Sequence, residues 1–334
     1  MPNVKPLHLV AGGAGFIGSH LCDALLQRGD QVLCVDNLQS AWPGNLEHLR
    51  RQPNFEFVAG DISAPLPAII TRRTAGLTHI WNLACAASPP RYQADPEHTM
   101  LTNVVGTDQL LRLAEAAGAR FLLTSTSEVY GDPEQHPQVE GYRGSVNCTG
   151  PRACYDEGKR AAEALSFDFA RLGRADVRVA RIFNTYGPHM QADDGRIVSN
   201  VINQMLGGEA VTVYGDGSQT RSLCYVADMV DGLIRLMDGD TVRDVPVNLG
   251  NPDERSILEI VATVALILGV EPNIRFTPLP QDDPLRRRPD VERAKTLLGW
   301  DPVTPIEAGL ARTVEWFREV RGQTGLMALS IAAE

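Results

Sequence analysis

Tyr155 and Lys159 stand four residues apart in the run ACYDEGKRAAE. On a helix that spacing places both side chains on one face, a turn apart. An ammonium beside a phenol favours the phenolate and draws its pKa down from about 10. The pair would then make a base able to take a proton from a sugar or alcohol hydroxyl near neutral pH. Of 31 basic residues only Lys5, Lys159 and Lys295 are lysines, leaving 28 arginines. A chain that uses arginine almost everywhere has the compact, tunable cation at this position. Spacing alone also allows a surface lysine and a half-buried tyrosine on an ordinary helix, so the elements around the pair decide between the two.

Those elements begin with residues 7–11 (LHLVA), a short buried strand, followed by GGAGFIGSHLCDALLQRGD. Gly12, Gly15 and Gly18 fall between that strand and an amphipathic helix carrying Phe16, Ile17, Leu21, Leu25 and Leu26. Glycines there allow a tight turn and close approach of a pyrophosphate to backbone N–H groups at the helix start. A second strand, QVLCV, ends at Asp36, where an acceptor for a ribose 2′-hydroxyl is expected. Asp36 repels a 2′-phosphate and Asn37 beside it offers no cation, so the reading is NAD rather than NADP. A glycine-rich turn with no ligand is the other reading of this stretch.

Strands and helices go on alternating. FEFVAGD ends at Asp61 and Ile62, a candidate adenine contact, and THIWNLA ends at Leu83 and Ala84. A helix over 97–117 carries Thr102 and Asn103. RFLLTSTSE ends at Thr126, Ser127 and Glu128; the Tyr155 helix runs to about residue 172, and DVRVARIF follows. This pattern predicts an α/β fold, a Rossmann-like doubly wound parallel sheet whose ligands bind at the carboxyl ends of the strands. The dinucleotide-binding domain is expected over 1–183, with later segments returning to it. A smaller substrate lobe is expected mainly over 184–320 and a flexible tail over 321–334.

At 334 residues, with 43% hydrophobic and 22% charged residues, the composition is that of a soluble globular enzyme. A formal charge of −10 argues against a nucleic-acid binder and means that an anionic substrate needs local arginines. The six cysteines, Cys22, Cys34, Cys85, Cys148, Cys154 and Cys224, form no C-x-x-C pair and read as reduced thiols rather than metal ligands. The first residues lead straight into a strand without a signal-peptide pattern, and no apolar run approaches 18 residues, so neither secretion nor a membrane span is expected. The expected location is cytoplasmic.

The segments TSTSEVYGDPEQHPQ, GPRACYDEGKR, RVARIFNTYGP, DDGRIVSN, VYGDGSQTRSLCYVADMVDGLIRLM, PVNLGNP and RRRPD together resemble the extended short-chain dehydrogenases/reductases, the NAD-dependent nucleotide-sugar epimerases, dehydratases and decarboxylases. They run over nearly the whole chain. GPRACYDEGKR and TSTSE are most similar to the UDP-glucuronic acid decarboxylase branch. The resemblance implies that NAD+ oxidises C4 of UDP-glucuronic acid while Tyr155 takes the hydroxyl proton, with Lys159 as tuner and ribose anchor. The resulting β-keto acid loses CO2, and hydride return gives UDP-xylose. It implies a substrate contact for Ser127 and assistance to decarboxylation by Glu128, although Glu128 could also be a loop-fixing carboxylate. Thr126 is either a partner of the 4-hydroxyl or a plain strand residue. Dehydratases of this group carry Asp-Glu where this chain has Ser127-Glu128, and a serine is no comparable acid.

The resemblance further places Thr185 and Arg196 near the cofactor and Asn184 at the nucleotide sugar. Tyr214 and the segment 198–202, with Val198 and Asn200, would line a uridine pocket. Arg221 and Arg287 would hold the diphosphate or carboxylate region. For any single arginine a surface salt bridge is the alternative, expected to hold for Arg286 and Arg288. It implies a homodimer built on helices near 97–117 and 152–172. The chain departs from the branch at Leu101, Arg143, Cys148 and Thr149, from which release of some UDP-4-keto-pentose is expected. A UDP-sugar 4-epimerase or 4,6-dehydratase of the same fold is the rival activity. A non-catalytic NAD-sensing protein is the rival outside enzymes.

Overall fold

The computed structural model describes residues 5–240, 242–279 and 286–331. Its first six strands are β1 (Leu7–Ala11), β2 (Gln31–Asp36), β3 (Phe55–Ala59), β4 (His79–Asn82), β5 (Arg120–Thr126) and β6 (Asp176–Ile182). With the later strand Pro246–Leu249 they form one seven-stranded sheet in the order Pro246–Leu249, β6, β5, β4, β1, β2, β3, and every pair in it is parallel. The order reverses between β1 and β4, which opens a crevice above their carboxyl ends.

These residues form a doubly covered sheet because the strands are apolar on both faces. Val10, Cys34, Trp81, Leu122 and Ala180 enter one buried cluster, while Leu9, Leu33, Ile80, Phe121 and Val179 enter the other. Neighbouring residues of a strand point to opposite sides, so each strand feeds both cores. At about 25 cal/mol per Å² of buried apolar surface, such layers supply most of the driving force for folding.

The strand expectations hold to within two residues at their ends. The helix expected over 97–117 is instead two α-helical pieces, Pro96–Leu101 and Thr107–Ala117, joined by a π-helical turn at Thr102–Gly106. The wider turn accompanies close packing. Gly106 abuts Ile62, and Asn103 lies against Gly158 of the Tyr155 helix, Ala153–Arg171. Asn103 Nδ2 donates to the Thr99 carbonyl (3.0 Å).

The second half of the chain adds helices Ile197–Leu206, Val226–Asp238 and Ile257–Leu268 and three small two-stranded pairings. It also sends the strand Pro246–Leu249 back to the main sheet, in register with Val179–Ile182. Asn248 in that strand is a fully buried hub. It accepts from the Tyr130 hydroxyl (2.7 Å) and donates to the carbonyls of Gln138 (2.9 Å) and Asp290 (3.1 Å). Residues 321–331, read as part of a tail, continue the helix Ile306–Ile331; residues 332–334 lie outside the described residues.

One polar network holds the Tyr155 helix on the sheet. Glu163 of that helix accepts from Ser125 Oγ (2.5 Å) at the end of β5 and from Arg181 Nε and Nη2 (2.9 and 2.7 Å) at the end of β6. Arg181 also donates to the Tyr130 hydroxyl (3.1 Å) and the Glu140 carbonyl (3.0 Å). Both partners of the Arg181–Glu163 pair are nearly buried, so removing one leaves an uncompensated charge. Arg181→Met is expected to lower the unfolding free energy by about 3–5 kcal/mol in urea titrations, and adding Glu163→Met is expected to recover part of that loss.

Candidate active site

The crevice at the strand ends is lined by residues from the glycine turn, β2, the segments following β3 and β4, β5, the Tyr155 helix and the segment 182–196. Gly12 has φ +80°, and a Cβ there would lie 2.7 Å from the backbone of Leu83 and Ala84. A Cβ on Gly18 would lie 2.1 Å from the Gly12 carbonyl oxygen. The turn is therefore as tight as its glycines permit, and the helix Phe16–Gln27 starts with no side-chain cap on its N-terminal N–H groups. Such an N-terminus, faced by bare backbone, fits a pyrophosphate.

Asp36 closes β2 with Oδ2 accepting from the Ala14 N–H (3.0 Å) and Oδ1 from the Leu38 N–H (2.8 Å). Burial pushes its pKa up, opposed by the N–H groups of Leu38, Ala14 and Gly15. Asp61 is the centre of a second polar corner, with Asn37 Nδ2 at 2.9 Å, Ser63 Oγ at 2.6 Å and His98 Nε2 at 2.6 Å. Burial raises its pKa, but the hydrogen bonds from Ser63, Asn37 and His98 outweigh burial and hold the carboxyl far below its ordinary range. An acid at the end of β2 with no cation beside it fits an unphosphorylated ribose. The Thr102 hydroxyl lines the crevice and is buried without a hydrogen-bond partner in the protein, the mark of a group waiting for a ligand.

At the opposite end lies the Tyr155–Lys159 pair. Both side chains are buried and reach the crevice from one helix face, with Lys159 Nζ 6.0 Å from the Tyr155 ring centre. Lys159 donates to the Thr124 carbonyl (2.9 Å). The expected drop in the phenol pKa is not what this arrangement produces. Burial pushes the Tyr155 phenol well above its ordinary range, helped by Cys85 and Glu128, and a hydrogen bond with Thr126 and the charge of Arg196 only partly offset this. Lys159 is lowered by the same desolvation. Desolvation opposes the charged form of both groups and is the largest influence on each. Tyr92 stacks face to face on the Tyr155 ring, centres 5.0 Å apart and planes at 6°.

Glu128, on the 3₁₀ turn Ser127–Tyr130 after β5, is held by two arginines. Arg152 Nη2 donates to its Oε2 (2.6 Å), and Arg287 donates to both carboxylate oxygens, Nη2 to Oε2 at 2.8 Å. Burial raises the Glu128 pKa, but Arg287 and Arg152 overcome it, so this carboxyl is ionised at neutral pH.

Every residue expected at the cofactor lies on the crevice wall: Gly12, Gly15, Phe16, Ile17, Gly18, Asp36, Asn37, Asp61, Ile62, Leu83, Ala84, Thr102, Tyr155, Lys159, Thr185 and Arg196. Thr126, Ser127, Glu128 and Asn184 join them. The residues expected at the uridine and diphosphate do not line it. Val198 packs in the core beneath the helix Ile197–Leu206, because its apolar spacing with Val201 and Ile202 marks the buried face. Asn200 donates to the Gly195 carbonyl (3.2 Å). Tyr214 is exposed at the end of the strand Val211–Tyr214, and buried Arg221 donates to the Thr220 carbonyl (2.8 Å). Arg287 faces Glu128 rather than standing open for a phosphate. Leu101, Arg143, Cys148 and Thr149 are also off the crevice wall, Leu101 and Cys148 being exposed.

Sequence reasoning missed His98, Arg152, Asp156, Tyr92 and Cys85. Arg152 had a signal, standing three residues before Tyr155 on a helical pattern. His98 had none, since its partner Asp61 is 37 residues away. Among the described residues no group of three or more His, Cys, Asp or Glu side chains is placed to hold a metal ion, and no helix is long and apolar enough to cross a membrane.

The model of the NAD dependent epimerase/dehydratase family matches residues 8–250. UDP-glucuronic acid decarboxylase 2 of Arabidopsis thaliana is 51% identical over 311 residues, which is 93% of this chain and 68% of that protein. UDP-glucuronic acid decarboxylase 1 of Danio rerio is 50% identical over 94% of this chain and 73% of its own length. Among solved structures, dTDP-glucose 4,6-dehydratase from Streptomyces venezuelae with NAD bound superposes with a TM-score of 0.86 at 29% identity, covering 95% of this chain and 98% of that one. UDP-glucuronic acid 4-epimerase from Bacillus cereus, in complex with UDP-glucuronic acid and NAD, gives 0.84 at 26%, covering 94% and 99%. With the glycine turn, the acid closing β2 and the Tyr155–Lys159 helix face all in one crevice, the chain belongs to the NAD-dependent epimerase/dehydratase family.

Proposed function

We propose that this protein is an NAD-dependent UDP-glucuronic acid decarboxylase that forms UDP-xylose. The observation that carries the reading is Glu128, ionised between Arg152 and Arg287, beside the Tyr155 phenol at the end of a dinucleotide-shaped crevice. Identity near 50% to decarboxylases over more than nine-tenths of the chain supports it. The glycine turn with the uncapped helix start would hold the NAD pyrophosphate. Asp36 would hold the adenosine ribose, Asp61 and Ile62 the adenine side, and Thr102 and Lys159 the nicotinamide side.

Bound NAD+ supplies reversible oxidation at C4 of the sugar, which makes the C6 carboxylate that of a β-keto acid and so primes loss of CO2. The rest falls to the chain itself. Tyr155 takes the C4 hydroxyl proton and later returns it. Thr126 holds the phenol oxygen in place. Burial opposes ionisation of that phenol, so positive charge and hydrogen bonds near its oxygen are what let it act as a base. Glu128 accepts hydrogen bonds and is kept ionised by its arginines, so it is not the proton donor. Ser127 offers a hydroxyl to the sugar without the acidity a dehydratase needs. The nucleotide end would be held by Asn184, Asn200, Tyr214 and Arg221. With Leu101, Arg143, Cys148 and Thr149 off the crevice wall, UDP-xylose is the expected main product.

We also propose a cytoplasmic homodimer. The helices Pro96–Ala117 and Ala153–Arg171 pack together, with Leu101 and Val105 left exposed on the first. Light scattering should return twice the 36.4 kDa chain mass, and a monomer would rule this part out.

Mass spectrometry after incubation with UDP-glucuronic acid and NAD should show CO2 loss and UDP-xylose, with any UDP-4-keto-pentose visible in the same spectrum. Epimerised but intact uronic acid would overturn the decarboxylase reading in favour of a 4-epimerase. Tyr155→Phe should cut turnover by about 10²–10⁴-fold with NAD binding kept. Gly18→Ala should abolish NAD binding measured by calorimetry, since its Cβ would collide with the Gly12 carbonyl oxygen at 2.1 Å.

A further inference from the structure

A second concavity, of about 710 Å³, shares no residue with the crevice. Its volume is that of a small-molecule site, about 300–1,000 Å³. It lies between the segment 42–51, which holds the 3₁₀ turn Pro43–Leu46, and the helix Ile306–Ile331. Trp42 and Trp316, both half-buried, meet there edge to face with ring centres 5.2 Å apart. A Cβ on Gly44 would run into the Trp42 ring, so that indole is seated on bare backbone. Trp316 Nε1 is buried with no hydrogen-bond partner among the described residues, and an indole N–H can only donate. His189 forms a third aromatic wall, its ring centre 4.9 Å from that of Trp316. Its φ is +70°, a conformation that a residue other than glycine seldom adopts. His189 is held in it by Ser19 Oγ, 2.9 Å from Nδ1, and by the His20 ring stacked at 4.4 Å. Backbone strain of this kind gathers at functional sites.

Charged groups complete the lining. Arg50 and Arg51 are exposed, and among the described residues neither forms an ion pair; Arg50 lies 5.9 Å from the Phe57 ring centre. Glu47 and Glu319 line the same concavity and are exposed as well. Aromatic walls take a flat base by stacking. Adjacent guanidinium groups take a phosphate. A carboxylate accepts from an exocyclic amino group and repels a carbonyl oxygen at the same place. A nucleoside phosphate with an amino-bearing base unites these three features. A bare phosphate leaves the indoles unused, and a sugar acid supplies no ring to stack.

We propose that this concavity is a second nucleotide site, separate from the catalytic crevice, which takes an adenine nucleotide with its base against Trp42 and Trp316 and its phosphate on Arg50 and Arg51. Glu47 and Glu319 are the acceptors for the amino group of the base. The inference stands apart from the decarboxylase reading, because none of these residues takes part in the chemistry of the crevice.

Tryptophan fluorescence tests it. Of the four tryptophans, Trp81 and Trp300 are fully buried in the core, so quenching by an added ligand reports on Trp42 and Trp316. Protein carrying one equivalent of NAD, which fills the crevice, is titrated with AMP. Saturable quenching is expected, with a dissociation constant below about 1 mM. Adenosine, which lacks the phosphate, and IMP, which has an oxo group in place of the amine, should each bind about tenfold more weakly. Arg50→Ala with Arg51→Ala should bring AMP down to the affinity of adenosine while NAD binding stays as it was. Both positions are exposed, and the comparison of AMP with adenosine and IMP needs no substitution at all. Absence of saturable quenching, or equal affinity for AMP and adenosine or for AMP and IMP, would overturn the proposal. So would AMP binding that survives the double substitution, since that would put the nucleotide in the crevice.

Discussion

The burial of Glu128 between Arg152 and Arg287 is the constraint on which the site depends. A carboxylate at that depth is tolerable only with its charge met by well-aligned donors, and here both oxygens are met. The two arginines come from places far apart in the chain: one precedes the Tyr155 helix, the other lies 159 residues beyond Glu128. The single ion cluster therefore fixes the turn after β5, the start of the catalytic helix and the segment returning from the second half. Removing either arginine would release more than a contact, because the remaining charges would be left in a medium that cannot solvate them.

This cluster also explains why the phenol behaves as it does. The same exclusion of water that strengthens the Glu128 pairs makes ionisation of Tyr155 costly, and the negative Glu128 adds to that cost. A base at this depth needs positive charge and hydrogen bonds close to the phenol oxygen.

Much of this was legible in the residues alone. Apolar strands alternating with amphipathic helices specify the parallel sheet, and the glycine turn and Asp36 locate the dinucleotide because backbone geometry and strand-end chemistry are local properties. What escaped was non-local or depended on depth. A helical pattern over 97–117 carries no sign of the π-turn at Thr102–Gly106, since one extra residue per turn barely disturbs apolar spacing. The partner of Arg287 could not be inferred across such a sequence separation. The ammonium near the phenol could be read from spacing, whereas the desolvation that opposes it could not. Val198, expected at the uridine, stands on the buried face of its helix, as its apolar spacing with Val201 and Ile202 already indicates.

The strand Pro246–Leu249 carries one more consequence. It completes the edge of the cofactor sheet, and through Asn248 it satisfies Tyr130 and the backbone at Gln138 and Asp290. The region that would grip the nucleotide sugar is thus threaded through the framework that grips the coenzyme. Exchanging specificity between homologues by swapping a contiguous C-terminal cassette would tear out a structural stave, so new sugar preferences in this scaffold must arise by piecemeal change in loops rather than by shuffling of modules.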